Sequence, residues 1–306
     1  MLYKYVYFLY TLIIFCLFHN IILFDNKILE KLKLFVEEDI GYSDITTDTL
    51  INDDLKIQAE VTSQSSGIMA GLNLWKQFFI NCNCDFKVLV QDGDIVNNNQ
   101  IIAEIQGSAN KILKYERTFL NLVSRMSGIA TETNKYSTIV KNLNLHTIVA
   151  CTRKTAPGLN YFDKEAVRIG GGDTHRYRLD DAVLIKDNHI FITNSIKQAV
   201  KKIKLNVSFT KKIEVETKSY SEVIDAVNSD VDIIMLDNMK PSEIKKILNT
   251  LKKKKIRNNF LIEASGGINK TNFLEYIKTG VDIISIGDIT HSNHSLNISL
   301  NVTKVL

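Results

Sequence analysis

The chain has 306 residues, a net charge of +4, 45% hydrophobic and 24% charged residues, which leaves room for two domains or one large α/β barrel with an addition. That apolar content excludes low-complexity disorder, and basic residues without interleaved aromatics give nucleic-acid binding no support. Any anionic ligand must be held by locally clustered cations rather than by the field of the whole molecule.

The first 27 residues read as an apolar extension. Tyr5 to Phe18 is almost wholly apolar, a run of about 14 residues against the roughly 20 that a membrane helix needs; counting through Phe24 just reaches that length. No small-residue cleavage site follows, which argues against a removable signal peptide. Three readings stay open: an anchor through residues 4–24, a packed extension, or a start codon assigned too early. The expected location is the cytoplasm, with membrane attachment as the alternative.

Residues 28–38 carry Leu32, Phe35 and Val36 at helical spacing, and the predicted helix ends near Gly41, where glycine permits a turn. Residues 57–61 alternate like a strand, and residues 73–79, after Gly71, read as a helix. Residues 88–107 resemble a β-hairpin, with Asp92-Gly93-Asp94 and Asn97-Asn98-Asn99 as turn chemistry. The pattern is similar to swinging-arm carrier domains, but the tip offers asparagines where a carrier needs an acceptor lysine. Residues 111–140 read as a helix, broken near Ser127-Gly128. The four cysteines, Cys16, Cys82, Cys84 and Cys151, match neither a disulfide framework nor a zinc pair-of-pairs, so a reducing compartment is expected. Cys82 and Cys84 read better as small residues beside a helix than as metal ligands.

From Thr147 the texture changes to short apolar runs alternating with helical stretches. Candidate strands are residues 147–151, 182–186, 212–216, 233–237, 260–263 and 283–286. Candidate helices are 195–202, 219–227, 241–252 and 269–278. Runs buried on both faces that alternate with helices argue for parallel strands in βα units, so an α/β barrel of about six strands, an incomplete one, is expected over residues 141–292. Residues 28–140 form a separate α+β domain.

In such a barrel the functional groups gather at the C-terminal ends of the strands. Here those ends carry Thr152-Arg153-Lys154, Lys186-Asp187-Asn188-His189, Glu216, Asp237-Asn238, Ser265-Gly266-Gly267 and Gly287-Asp288. Arg153, Lys154, His175, Arg176 and Lys186 arise in one stretch that also holds Gly170-Gly171-Gly172, where backbone could approach a ligand closely. That reads as a pocket for a multiply charged anion, since arginine grips a carboxylate through two parallel hydrogen bonds and lysine adds a point charge. The competing reading is a solvated basic face. Glu216 and Asp237, from successive strands, suit Mg2+ and ribose hydroxyls, or else a structural ion pair. The turns at Ser265-Gly266-Gly267 and Gly287 can cradle a phosphate on backbone N–H groups.

These segments resemble the quinolinate phosphoribosyltransferase family from about residue 28 to residue 291. The resemblance is carried by Glu38-Asp-Ile-Gly-Tyr-Ser-Asp-Ile-Thr-Thr47, Glu116-Arg-Thr-Phe-Leu-Asn-Leu122, Thr152-Arg-Lys-Thr-Ala-Pro-Gly-Leu159 and Gly170-Gly-Gly-Asp-Thr-His-Arg176. It continues through Leu184-Ile-Lys-Asp-Asn-His189, Ile234-Met-Leu-Asp-Asn238, Glu263-Ala-Ser-Gly-Gly-Ile268 and residues 280–291.

The resemblance implies a sandwich-like N-terminal α+β domain, a type II phosphoribosyltransferase-like barrel, and a C-terminal segment, residues 293–306, packing back on the N-terminal domain. It also implies a homodimer or a larger assembly such as a hexamer, with quinolinate and phosphoribosyl pyrophosphate as substrates and magnesium as cofactor. Quinolinate is then expected against Arg117 from the partner subunit, Thr152, Arg153, His175, Arg176 and Lys186. Phosphoribosyl pyrophosphate is expected against Lys154, Glu216, Asp237, Ser265, Gly266, Gly267, Ile286, Gly287, Asp288 and His291. Lys154, Lys186, Glu216 and Asp237 are the expected catalytic groups, with Glu216 and Asp237 at the metal. Two departures stand out: Arg178 where the family often has glycine, and Thr174 where it often has asparagine. The alternatives are a relative acting on another pyridine or pyrimidine, a Schiff-base lyase using Lys186, and a non-catalytic phosphate-binding or membrane-tethered regulatory protein.

Overall fold

The computed structural model describes residues 26–292 and 294–306, and the expected anchor or extension at the N-terminus lies outside them. Among the described residues no helix is long and apolar enough to cross a membrane. The chain divides into two units: one of residues up to 66, 71–124 and 297–306, the other of residues 67–70 and 125–296.

In the first unit, helix α1 (residues 26–40) buries Ile28, Leu32 and Val36, one residue per turn, as a stripe at four-residue spacing dictates. It stops where Gly41 takes φ +63° and its N–H bonds the Glu37 carbonyl. A short helix α2 (Ile45–Leu50) follows, capped by the Asp44 carboxylate. Strand β1 (Lys56–Ser63) buries every second residue, so one face of its sheet is core and the other is not.

Two-residue strands β2 (Gly67–Ile68) and β4 (Ile95–Val96), helix α3 (Leu72–Asn81), β3 (Asp85–Val88) and β5 (Gln100–Ser108) come next. The expected hairpin is the antiparallel pairing of β3 with β5. It starts three residues earlier than its apolar pattern suggested because Asp85 and Lys87 sit on the exposed face. The C-terminal strand β12 (Ile298–Val305) pairs antiparallel with β1, giving the order β12-β1-β5-β3. Against this sheet stands an aromatic cluster in which Trp75 meets Phe119 edge-on at 5.3 Å and Phe79 stacks on Phe86 at 5.4 Å, geometries that ring quadrupoles favour.

Helix α4 (Ala109–Asn142) is 34 residues long and continuous, so the break expected at Ser127-Gly128 is absent. Gly128 has a different purpose: a Cβ there would collide with the backbone carbonyl of His294. The glycine marks a close chain crossing, not a helix end.

The second unit contains six parallel strands in the order β6-β11-β10-β9-β8-β7. They are β6 (Ile148–Ala150), β7 (Val183–Ile185), β8 (Ile213–Thr217), β9 (Ile233–Asp237), β10 (Leu261–Ser265) and β11 (Ile283–Ser285). Among the described residues no pairing joins β6 to β7, so the sheet curls into an incomplete barrel open between its first two strands. Helices α7 (Ile196–Asn206), α8 (Tyr220–Asn228) and α9 (Pro241–Lys253) lie where their patterns place them. Ser195 and Ser219 accept from backbone N–H groups at the first two starts, and proline occupies the first turn of the third.

Helix α10 (Phe273–Ile277) is shorter than expected, because the Asn269 and Asn272 side chains bond nearby backbone N–H groups and delay its start. Helices α5 (Asn160–Ile169) and α6 (Asp187–Thr193) were not foreseen. α5 buries Asp163 and Lys164 alongside Phe162, Ala166 and Val167, so its inward face does not read as apolar. α11 (Asp288–His291) is a single turn after β11.

Candidate active site

The C-terminal ends of the barrel strands open into one cavity of about 560 Å3. β6 delivers Cys151, Thr152, Arg153 and Lys154; the segment after α5 delivers His175 and Arg176; β7 delivers Lys186. Across from them stand Glu216 from β8, Asp237 and Asn238 from β9, Glu263, Ser265, Gly266 and Gly267 from β10, and Ser285, Gly287, Asp288 and His291 from β11 and α11.

Of the residues expected in the chain's own site, Ile286 does not line it. Ile286 is fully buried and its N–H bonds the Ala150 carbonyl at 2.9 Å; neither its side chain nor its amide is available to a phosphate. Arg117 belongs to the first unit, where its nearest ion-pair partner is Glu116 at 3.9 Å and its side chain is 64% exposed.

The loop after β6 is braced from below. Lys154 donates its N–H to Thr152 Oγ1 at 3.1 Å, and its carbonyl accepts from Thr290 Oγ1 at 2.8 Å. Asp163, wholly buried, accepts two bonds from Arg125 at 2.7 and 2.8 Å and one from the Ala156 N–H at 3.2 Å. Bidentate geometry of this kind fixes both partners, and through Ala156 it fixes the loop that carries Arg153 and Lys154.

The glycine triplet does not do what its sequence suggested. A Cβ on Gly170 would overlap the Ala130 carbonyl, and one on Gly172 would press on Thr133 and Val167. These glycines admit helix α4, and they are absent from the cavity lining. They bring the following residues alongside β6, where Asp173 forms a single parallel bridge with Ala150. The buried ammonium of Lys164 donates to the Thr174 carbonyl, and the Asp173 carboxylate accepts the His175 N–H at 2.6 Å. His175 is thereby held at φ +50°, a conformation uncommon outside glycine that persists only when its surroundings impose it. Burial and then neighbouring Arg153 lower the Arg176 pKa, a sign of two cations crowded at one mouth.

Of the two departures, Arg178 adds no cation to the cavity: it is 71% exposed and pairs with Asp180 at 2.9 Å. Thr174 contributes its carbonyl to Lys164, and its hydroxyl bonds the His175 carbonyl.

On the acidic side, Glu216 accepts from Lys186 Nζ at 3.0 Å. Lys186 is thus engaged by a carboxylate rather than isolated in an apolar pocket, the setting in which lysine serves as an amine nucleophile. Asn238, at φ +55°, donates its N–H to the Ser265 carbonyl. Gly266 lies so near that any Cβ would overlap the Asn238 side chain. Gly266 and Gly267 take φ +91° and +62°, and their N–H groups have no carbonyl partner among the described residues, as an anion cradle requires.

Sequence reasoning overlooked Glu214 and Glu263. Both are buried, and each carboxylate approaches His175 Nε2, at 3.4 and 3.2 Å. Glu214 stands two residues before Glu216 on β8, so strand alternation alone puts both on the barrel's inner face. Glu263 opens the segment 263–268 and comes from β10, on the other side of β9 from β8.

The family models for the N-terminal and C-terminal domains of quinolinate phosphoribosyl transferase match residues 44–127 and 129–301. The chain belongs to the quinolinate phosphoribosyltransferase family. Among its relatives, a probable nicotinate-nucleotide pyrophosphorylase [carboxylating] of Methanocaldococcus jannaschii is 46% identical over 278 residues, covering 90% of this chain and 97% of the relative. Another of the same description, from Methanothermobacter thermautotrophicus, is 41% identical over 274 residues, covering 90% and 98%. The crystal structure of nicotinate-nucleotide pyrophosphorylase from Ehrlichia chaffeensis superposes with a TM-score of 0.83 at 33% identity, covering 90% of this chain and 98% of that one. The family's fold is the one described above: an α+β domain and an incomplete α/β barrel.

Proposed function

We propose that the chain is a pentosyltransferase of NAD biosynthesis. It joins quinolinate to phosphoribosyl pyrophosphate and yields nicotinate mononucleotide, pyrophosphate and carbon dioxide. One observation carries this reading: in a member of this family, Arg153, His175, Arg176 and Lys186 converge with Glu216 and Asp237 on a single cavity. Four cations on one side suit the two carboxylates of quinolinate. On the other side, the Gly266-Gly267 turn with Gly287 and His291 suits the 5′-phosphate, and Glu216 and Asp237 suit the ribose hydroxyls.

The chemistry asks mainly for alignment. The pyridine nitrogen is a weak nucleophile, so fixing the ring by its carboxylates opposite the ribosyl carbon supplies most of the rate. As the nitrogen–carbon bond forms, the bond to pyrophosphate breaks, and Lys154 neutralises charge on the leaving group. The ring nitrogen is then positive and accepts the electron pair released when the C2 carboxylate departs as carbon dioxide. A proton from solvent takes its place. The C3 carboxylate stays gripped.

Glu216 and Asp237 offer oxygen donors only, from adjacent strand ends, the donor set a magnesium ion accepts alongside phosphate oxygens. Bound there, it would supply positive charge next to the pyrophosphate. Arg117, largely exposed, is assigned to the active site of a second copy, so a homodimer is the working assembly. Cys82, Cys84 and Cys151 are unpaired, which fits a reducing cytoplasm.

The test mixes purified protein, quinolinate, phosphoribosyl pyrophosphate and magnesium and measures nicotinate mononucleotide. Arg176→Ala should raise the KM for quinolinate and lower turnover, at a cost of about 2–4 kcal/mol in kcat/KM. No product from the wild-type protein, or an Arg176→Ala variant with full activity at low quinolinate, would remove the assignment.

A further inference from the structure

Two buried carboxylates in the barrel interior have no part in the scheme above, and both approach His175, which does. Glu214, Glu263 and His175 place their nearest ligand atoms within 4.8 Å of one another. His175 Nε2 is 3.2 Å from Glu263 Oε2 and 3.4 Å from Glu214 Oε2. Each carboxylate's other oxygen is buried with no partner among the described residues. Glu214 is 2% exposed and Glu263 not at all.

Two buried carboxylates converging on one ring nitrogen are acceptors that call for a proton on that nitrogen. His175 also lines the cavity, and Nδ1 has no partner among the described residues. Nε2 faces the two carboxylates.

We propose that Glu214 and Glu263 are positioning residues that hold His175 as an imidazolium. Its Nε2–H is committed to the barrel interior, and its Nδ1–H is presented to one carboxylate of the substrate. The inference rests on the function proposed above and deepens it. The carboxylates choose the substrate class: an anionic carboxylate accepts from Nδ1–H, whereas a carboxamide brings no charge to meet the imidazolium. The arrangement follows the general logic by which a buried carboxylate fixes a histidine's tautomer through one nitrogen while the other acts. The held backbone at φ +50° and the Asp173 bond to the His175 N–H keep the ring from turning away. Burial alone would lower the His175 pKa; the hydrogen bonds that Nε2–H donates to the two carboxylates overcome it and raise it to about 10.

The first test needs no substitution in the measured protein. Nitrogen-15 NMR of the wild-type imidazoles, with His175 assigned by the signal lost in His175→Gln, should show both ring nitrogens protonated at pH 7.5. A bare Nε2 or a bare Nδ1 overturns the proposal; a divalent cation seated between the three groups would appear as the former. The second test uses Glu263→Gln and Glu214→Gln, which keep shape and remove charge. Each should raise the KM for quinolinate roughly 10- to 100-fold, while the KM for phosphoribosyl pyrophosphate stays within about twofold and kcat falls less than kcat/KM. Variants that melt with the wild type and keep its KM for quinolinate would also overturn it. If the wild-type protein makes no nicotinate mononucleotide, the proposed function fails on its own; the nitrogen-15 spectrum, taken without substrate, still decides the state of His175.

Discussion

Asp163→Ala should cost about 3 kcal/mol of stability, and the reason lies in the asymmetry of its ion pair. The Asp163 carboxylate is wholly buried, takes two bonds from Arg125 at 2.7 and 2.8 Å, and accepts the Ala156 N–H. Breaking a buried pair from one side costs about 3–5 kcal/mol, because the surviving charge is stranded. Arg125 is 23% exposed on its side chain, and its guanidinium also reaches the Thr290 carbonyl at 3.2 Å, so the loss falls at the low end.

The reverse change, Arg125→Ala, strands a carboxylate with no exposure at all and should cost more. At about 2–4 °C per kcal/mol for a domain near this size, Asp163→Ala should melt roughly 6–12 °C below the wild type. Urea unfolding of the two single variants and the double variant measures the coupling. The double variant should lose less than the sum of the singles by about 2 kcal/mol or more. Additivity within about 0.5 kcal/mol, or an Asp163→Ala penalty larger than that of Arg125→Ala, would refute the reasoning.

Two further outcomes are expected. Gly170→Ala drives a methyl into the Ala130 carbonyl of helix α4, so it should cost about 1–3 kcal/mol by thermal unfolding; an unchanged melting temperature would mean that α4 does not fix this turn. Because His175 has its pKa raised from the ordinary 6.5 to about 10, its charged form is favoured by the fold. The stability it adds is complete below pH 6.5 and is lost as the pH climbs towards 10. The gap in melting temperature between wild type and His175→Gln should therefore narrow over that range, and a gap that stays constant would show that the charge of His175 does not contribute.

Much of the barrel was legible because burial on both faces leaves a plain signature. Residues 233–237 form β9 with the predicted bounds, and the helices expected from residues 195, 219 and 241 start within one residue of those positions. Strand-end chemistry was legible for the same reason: a chain that alternates β and α must send its strand ends to one rim, and the residues there were polar. Helix α5 was hidden because a buried Asp163 and Lys164 interrupt its apolar stripe. Nothing local announces that Arg125, 38 residues earlier, will satisfy that acid.

What the sequence determined by itself was therefore the order of elements, the family, and the side chains gathered at the mouth. What only the tertiary structure decided was the partner of each. The triple glycine admits a helix rather than a ligand, because the close approach comes from α4. Ile286 gives its amide to Ala150 rather than to a phosphate. His175 turns one nitrogen inward because β8 and β10 each bring a carboxylate to it. Spacing along a chain fixes which face a residue occupies; what stands across from that face depends on strands far away in sequence.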